Sequence, residues 1–309
     1  MTSIILEVKL DNICYNYNYL RKVNKEGITA AVVKGDAYGL GINKISQILY
    51  KQGCNNFFVA TIEEGIELRT KYKKVNIFVL NGVNSKEIKN FLKYKIIPVI
   101  NNIKQFKLIK RLNKKISIIL HYDTGMNRLG LNINEIKLIK NLIKYSKIKL
   151  LYIMSHLSSA EKTFSKTNNK QIMKFKKVLS IFKNHKLSLS NSSGIFLSYD
   201  FHFQMTRPGI SLYGGYGNIS IKKYIKPVIK LKAQVIQIKK INVGDTIGYN
   251  ETYKLKTSKY IATVAIGYAD GIPRNLSNNG YVYYKKYKAN IIGNISMDTL
   301  VIDINNFYN

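Results

Sequence analysis

The sequence is short of cysteine, of acidic residues and of long apolar runs, and each shortage narrows what the chain can be. Only Cys14 and Cys54 occur among its 309 residues. Two separated thiols do not build a disulfide framework, so a reducing compartment is the simpler expectation. No uncharged apolar stretch approaches the roughly 18 residues of a membrane-spanning helix. The opening MTSIILEVKLDN lacks the basic, apolar and small-residue succession of a secretion signal. A cytoplasmic protein with no membrane partner is expected. Seventeen Asp and Glu stand against fifty Lys and Arg, a formal charge of +33. Such an excess raises nucleic acid as a partner. The lysines, however, are spread from end to end, as in IKLIKNLIKYSKIKLL, with no Arg-rich tail and no recognised nucleic-acid motif. We expect a solvated cationic surface that sticks to polyanions at low salt, and no specific nucleic-acid partner.

What is present is a core and a rhythm. Hydrophobic residues make up 46% of the chain, enough for a sizeable interior. Strand candidates are ITAAVVK (28–34), NFFVA (56–60), VNIFVL (75–80), IIPVI (96–100), ISIILHY (116–122), KLLYIMSH (149–156), LSLSNS (187–192) and MTRPGISLYG (205–214). Between them lie segments such as IEEGIELRTKY and INEIKLIKNLIKYS, whose apolar residues recur at helical spacing. Eight strands separated by helices favour an α/β fold, a closed (β/α)₈ barrel, over an open doubly wound sheet. After Pro227 the rhythm changes. VIKLKAQVIQIKKI, KYIATVAIG, YVYYKKYKANII and LVIDI read as strands joined by turns. The expected division is a barrel over residues 1–226 and a mainly β domain over 227–309.

Several motifs fall at strand ends, where the active sites of such barrels form. Lys34, in AVVKGDAYGLG, closes the first apolar run. A lysine there is partly desolvated and suited to Schiff-base formation with an aldehyde cofactor. By position alone an ordinary strand-end lysine in a lysine-rich chain is the better reading. YDTGMNRLG (122–130) sets Arg128 in a Gly-bounded loop, where its planar fork can hold a carboxylate. SHLSSAE carries His156, which alone reads as structural. In TRPGISLYG, Arg207 precedes Pro208, and the amides of Gly209 and Ile210 with the Ser192 hydroxyl of SNSSG form a candidate anion cradle. AIGYADGIPR carries Tyr268, and GNISMDTL carries Met297 and Asp298, with packed aromatic, core and turn roles as the plain alternatives. No metal site is expected.

Taken in order, these motifs resemble alanine racemase across nearly the whole chain. The resemblance implies a homodimer that uses pyridoxal 5'-phosphate to interconvert L- and D-alanine, supplying D-alanine for peptidoglycan. Lys34 matches the cofactor-bearing lysine and the base for the D-enantiomer. Tyr268 matches the opposing base for the L-enantiomer, supplied by the partner subunit. Tyr38, Ser192, Gly209 and Ile210 match phosphate-binding positions, and Arg207 the arginine facing the pyridine nitrogen, where it limits side reactions. His156 matches the histidine beneath the cofactor ring. Arg128, Met297 and Asp298 match substrate-side positions. A lysine and a tyrosine ordinarily ionise near pH 10, so a site using both needs burial round one and positive charge near the other.

The chain departs from the family at three places. Gly35, Asp36 and Leu40 stand where members commonly have Ala, Asn and His, and Asp36 adds a negative charge near an anionic cofactor. His121 stands where some members carry a lysine, carboxylated in some structures, that braces the substrate arginine. The sequence ends at Asn309, soon after SMDTLVIDI, while the family usually continues through a portion that contributes a phosphate-binding tyrosine and part of a dimer interface; the expectation is either a shortened enzyme with a weaker cofactor grip or an incomplete product. The rival expectations are a racemase for another small amino acid such as serine, which a hydroxyl alone hardly excludes, and a non-catalytic barrel that binds the same cofactor.

Overall fold

In a computed structural model that describes residues 4–306 and 308, the chain divides into two compact units. One is Val8–Val228. The other is Ile229–Asn309 together with Met1–Glu7.

The first unit is built on parallel strands in sequential order: Ile28–Thr29 continued by Ala31–Val32, then Asn56–Val59, Asn76–Val79, Ile97–Ile100, Ile116–His121, Ile148–Met154 and Leu187–Ser188. The eighth, Met205–Thr206, pairs in parallel with Ile28–Thr29. It also donates backwards, from the Gln204 amide to the Leu187 carbonyl and from the Arg207 amide to that of Ser190. Those bonds close the ring, as the alternation of apolar runs and helical segments predicts. The eighth strand is shorter than its sequence implies. Pro208 has no amide to donate, and the chain passes into a 3-10 turn at Ile210–Tyr213.

The strands read as continuous apolar runs because both faces are buried. Val32, Phe58, Phe78, Val99, Ile119, Met154 and Met205 pack inside the barrel. Their neighbours Val33, Phe57, Val59, Ile77, Ile100, Ile118 and Ile153 face the helical layer. The helical patterns appear as Ile62–Lys71 and Ile133–Ile143. No helix among the described residues is long and apolar enough to cross a membrane.

The second unit is a five-stranded antiparallel sheet in the order Val235–Ile241, Lys259–Val264, Leu300–Asp303, Tyr287–Ile292, Tyr281–Tyr284. Its core gathers Ala262, Val264, Ile266, Ile291, Leu300 and Ile302. YVYYKKYKANII, continuous as a strand pattern, is a hairpin that turns at Lys285, whose φ is 54°. Residues 4–7, grouped with the barrel on the chain order alone, belong instead with the β unit, while residues 1–3 lie outside the described residues. The strand Ile4–Val8 pairs with Ile229–Ala233, a partner more than 200 residues away that no local pattern announces.

Candidate active site

The first barrel strand ends in a run of left-handed backbone. Lys34 is followed by Gly35, Asp36, Ala37 and Tyr38 at φ values of 62°, 51°, 55° and 59°. Three consecutive non-glycine residues in this region are unusual, since each L-residue there costs roughly 1–2 kcal/mol, and they persist only where surroundings over-determine them. The turn reverses the chain so that Lys34 and Tyr38 both line one cavity. Asp36 does not aim its charge at that cavity. Its Oδ1 accepts from the Ile42 amide at 2.6 Å, at the start of helix Ile42–Lys51, where a negative group is favoured.

The cavity measures about 470 Å³ and lies among the residues that follow the barrel strands. Lys34, Tyr38, His121, Arg128, His156, Ser192, Arg207, Gly209 and Ile210 all line it. At one end Ser192 Oγ accepts from the amides of Gly209 (2.9 Å) and Ser211 (3.2 Å). The Ile210 amide opens a 3-10 turn and has no carbonyl to bond within it. Gly209 is required by close approach, because a Cβ there would meet Tyr38 Oη at 2.3 Å. The Tyr38 ring stacks on Tyr213 with centroids 4.5 Å apart. The Gly209 amide is thus taken by Ser192 Oγ, and the Ile210 amide, the Ser192 hydroxyl and the Tyr38 phenol converge at this end as anion binding requires.

Arg207 is buried among acceptors. Its guanidinium donates to Ser188 Oγ, to the Ser155 carbonyl at 2.5 Å and to the Leu189 carbonyl at 3.2 Å. Burial lowers its pKa to about 9, and at neutral pH it carries its charge. That charge and burial keep the neighbouring imidazoles neutral. Burial foremost, then Arg207 and Arg128, lowers His156 to about 3. Burial and then Arg207 lower His121 to about 4. His121 Nδ1 lies 2.7 Å from Asn101 Oδ1. With Asn101 donating through Nδ2 to the Leu80 and Val99 carbonyls, its Oδ1 is the acceptor and Nδ1 carries the proton. His121 therefore supplies no negative charge to Arg128. Arg128 is exposed, and among the described residues its guanidinium has no hydrogen-bonded or ion-paired partner.

Tyr268, Met297 and Asp298 lie in the β unit and are exposed. Their two loops are locked together: the Tyr268 amide donates to the Ser296 carbonyl at 3.1 Å and the Ala269 amide to that of Met297 at 3.0 Å. A Cβ on Gly267 would meet the Met297 carbonyl at 2.2 Å, so only glycine lets them approach. The Arg274 guanidinium lies 5.4 Å from the centre of the Tyr268 ring, a positive charge beside the phenol.

Three supporting residues carry little or no signal in the sequence. Asn101 orients His121. Gln171 donates to the His156 carbonyl (3.0 Å) and Thr124 Oγ1 (3.1 Å) and accepts from the Ser158 amide (2.9 Å), tying two cavity loops together. Glu64 holds the turn after Lys34. Only Glu64 is flagged locally, by its capping-box spacing to Thr61.

Comparison with known proteins agrees with this arrangement. Residues 8–217 match the family model described as alanine racemase, N-terminal domain, and residues 228–309 the one described as alanine racemase, C-terminal domain. The chain is 40% identical over 310 residues to an alanine racemase of Rickettsia canadensis (strain McKiel), covering 98% of this chain and 86% of that protein. It superimposes with a TM-score of 0.94 and 40% identity on the alanine racemase of Bartonella henselae, solved with covalently bound pyridoxal phosphate, over 100% of this chain and 88% of that one. The biosynthetic alanine racemase of Pseudomonas aeruginosa gives the same TM-score at 27% identity, over 99% and 87%. With both family models spanning most of its length, this chain belongs to the alanine racemase family.

Proposed function

We propose that the protein interconverts L- and D-alanine, using pyridoxal 5'-phosphate held on Lys34, and so supplies D-alanine for peptidoglycan. The observation that carries this reading is the convergence of Lys34, Tyr38, Arg128, His156, Ser192 and Arg207 on one cavity. The cofactor fits what is there. Its phosphate suits the end formed by Ser192, Gly209, Ile210 and Tyr38, where the lack of a side chain on Gly209 lets the Tyr38 hydroxyl approach. When bound, it supplies an electron sink that stabilises the carbanion left as the α-proton departs.

The chain's own residues do the rest. Arg128, whose guanidinium has no partner among the described residues, holds the substrate carboxylate through paired N–H donors, with Met297 and Asp298 completing that end. Lys34 Nζ removes or returns the α-proton on one face. Tyr268 Oη does so on the other, and its beta unit reaches the site from the partner subunit of a homodimer. The Arg274 guanidinium lies 5.4 Å from the centre of the Tyr268 ring and helps to hold it in place. His156, kept neutral, packs at the cavity wall without competing for the cofactor's negative charge. Arg207, a cation fixed by its bonds to Ser188, Ser155 and Leu189, would face the cofactor's ring and would disfavour a proton on its nitrogen. A cytoplasmic location follows from the same reading.

Chiral analysis of L-alanine incubated with purified protein and pyridoxal phosphate tests this. D-alanine is expected from the wild type, with losses of about 10²- to 10⁴-fold in Lys34→Ala and Tyr268→Phe. No D-alanine, with the cofactor still reducible onto Lys34 by borohydride, would identify a binding protein instead.

A further inference from the structure

We infer that Glu64 is a positioning residue for Lys34: one carboxylate clamps the left-handed turn that follows the lysine to the end of the neighbouring barrel strand. This rests on the reading that Lys34 is the base for the D-enantiomer.

Glu64 accepts four backbone N–H groups. Oε2 takes those of Ala60 (2.7 Å) and Thr61 (3.3 Å), and Oε1 those of Gly35 (2.5 Å) and Asp36 (3.2 Å). Capping helix Ile62–Lys71 needs only the first oxygen, which reaches back to the N-cap. The second oxygen serves nothing in that helix. It bonds residues 29 and 28 positions upstream, directly after Lys34.

Those two amides are the ones the turn cannot satisfy. Within it, Ala37 donates to the Val33 carbonyl and Gly41 to that of Asp36, but Gly35 and Asp36 precede any internal acceptor, as at the start of any helical turn. Without Glu64 they would turn to water, and strained left-handed backbone would have a cheaper alternative in ordinary loop conformations. Relaxation would move Lys34 and Tyr38 together, because the turn carries both. Only a carboxylate offers acceptors at both ends. Glutamine would present an NH₂ to one pair of donors.

Glu64→Gln and Glu64→Asp test the assignment. Aspartate retains the charge but is one methylene short of spanning both sites. In either variant, hydrogen–deuterium exchange across residues 34–40 should rise with or without cofactor, while barrel strands keep their protection. The loaded enzyme should lose kcat on the order of 10- to 100-fold, with a smaller change in KM, as misplacement of a reacting group does. Rates alone cannot assign the loss, since the equilibrium between enantiomers fixes both directions together. Isotope effects can. With Lys34 misplaced, the effect for α-deuterated D-alanine should rise and that for α-deuterated L-alanine should fall. If Glu64→Gln is too unstable to purify, Glu64→Asp carries the same readings. Lowered melting temperature with exchange over 34–40 and both isotope effects unchanged would reduce Glu64 to a helix cap and overturn the proposal. Failure of the wild type to racemise alanine would instead sink the underlying function while leaving the exchange result to stand.

Discussion

At the residue scale, the cavity's chemistry is set by which groups are denied charge. His121 and His156 sit beside fixed cations, and burial does more than those cations to keep both rings neutral. The consequence for stability has a definite sign. In the unfolded chain an imidazole takes up its proton near pH 6.5, whereas in the folded protein these two do so only near 4 and 3. Between about pH 6.5 and 4 the unfolded state binds more protons, so stability is complete above that window and falls as pH falls through it. His121→Asn should make the fall in melting temperature between pH 6.5 and 4.5 shallower by a few degrees, as followed by calorimetry. An unchanged slope would mean that His121 takes up its proton in the fold as readily as in the unfolded chain. The types of the cavity residues were legible in the motifs. What was not legible was their support, since Asn101 and Gln171 meet His121 and His156 only through folding.

At the element scale, the strands announce themselves because parallel strands buried on both faces read as unbroken apolar runs. The turn after the first strand does not. Nothing in KGDAYG specifies four successive left-handed residues, and only two of the six are glycine. Aspartate at the second position is one of the few residues that tolerates such a φ, and its side chain caps the next helix. Asp36→Ala loses both advantages and should destabilise the protein by about 1–2 kcal/mol, measurable by denaturant unfolding. Asp36→Asn, which keeps the acceptor and the tolerance, should cost well under half of that. Equal losses would show that charge, not conformation, is what the position needs. The eighth strand, shortened at Pro208, and the hairpin at Lys285 were misread for a related reason. A strand pattern records burial, not where a chain turns within an apolar segment.

At the scale of the whole molecule, the proposed site needs two chains. Lys34 and Tyr268 belong to different units of the fold, and the reading assigns them to different subunits of one site. Mixing inactive Lys34→Ala with inactive Tyr268→Phe should therefore restore activity. Random re-pairing makes half the dimers mixed, each with one intact site, so recovery should approach roughly a quarter of wild type. No recovery after verified subunit exchange would mean that both bases act within one chain. The +33 charge bears on solubility rather than on this chemistry: among the described residues only three ion pairs form, and none involves a cavity residue.

The sequence by itself determined the two-part organisation, the strand order, and the chemical groups at the strand ends. These are local matters: periodicity follows from which face is buried, and motif residues sit where a strand stops. It also carried the family, because seven short motifs in one order constrain far more than any one of them. Only the tertiary structure decided that residues 4–7 join the β unit, that Asp36 caps a helix, that His121 is a neutral donor to Asn101, and that Glu64 grips the turn behind Lys34. All but the Asp36 cap depend on a partner twenty or more residues away, and the cap itself depends on a left-handed turn; hydrogen bonds of this kind leave no period in the sequence from which to read them.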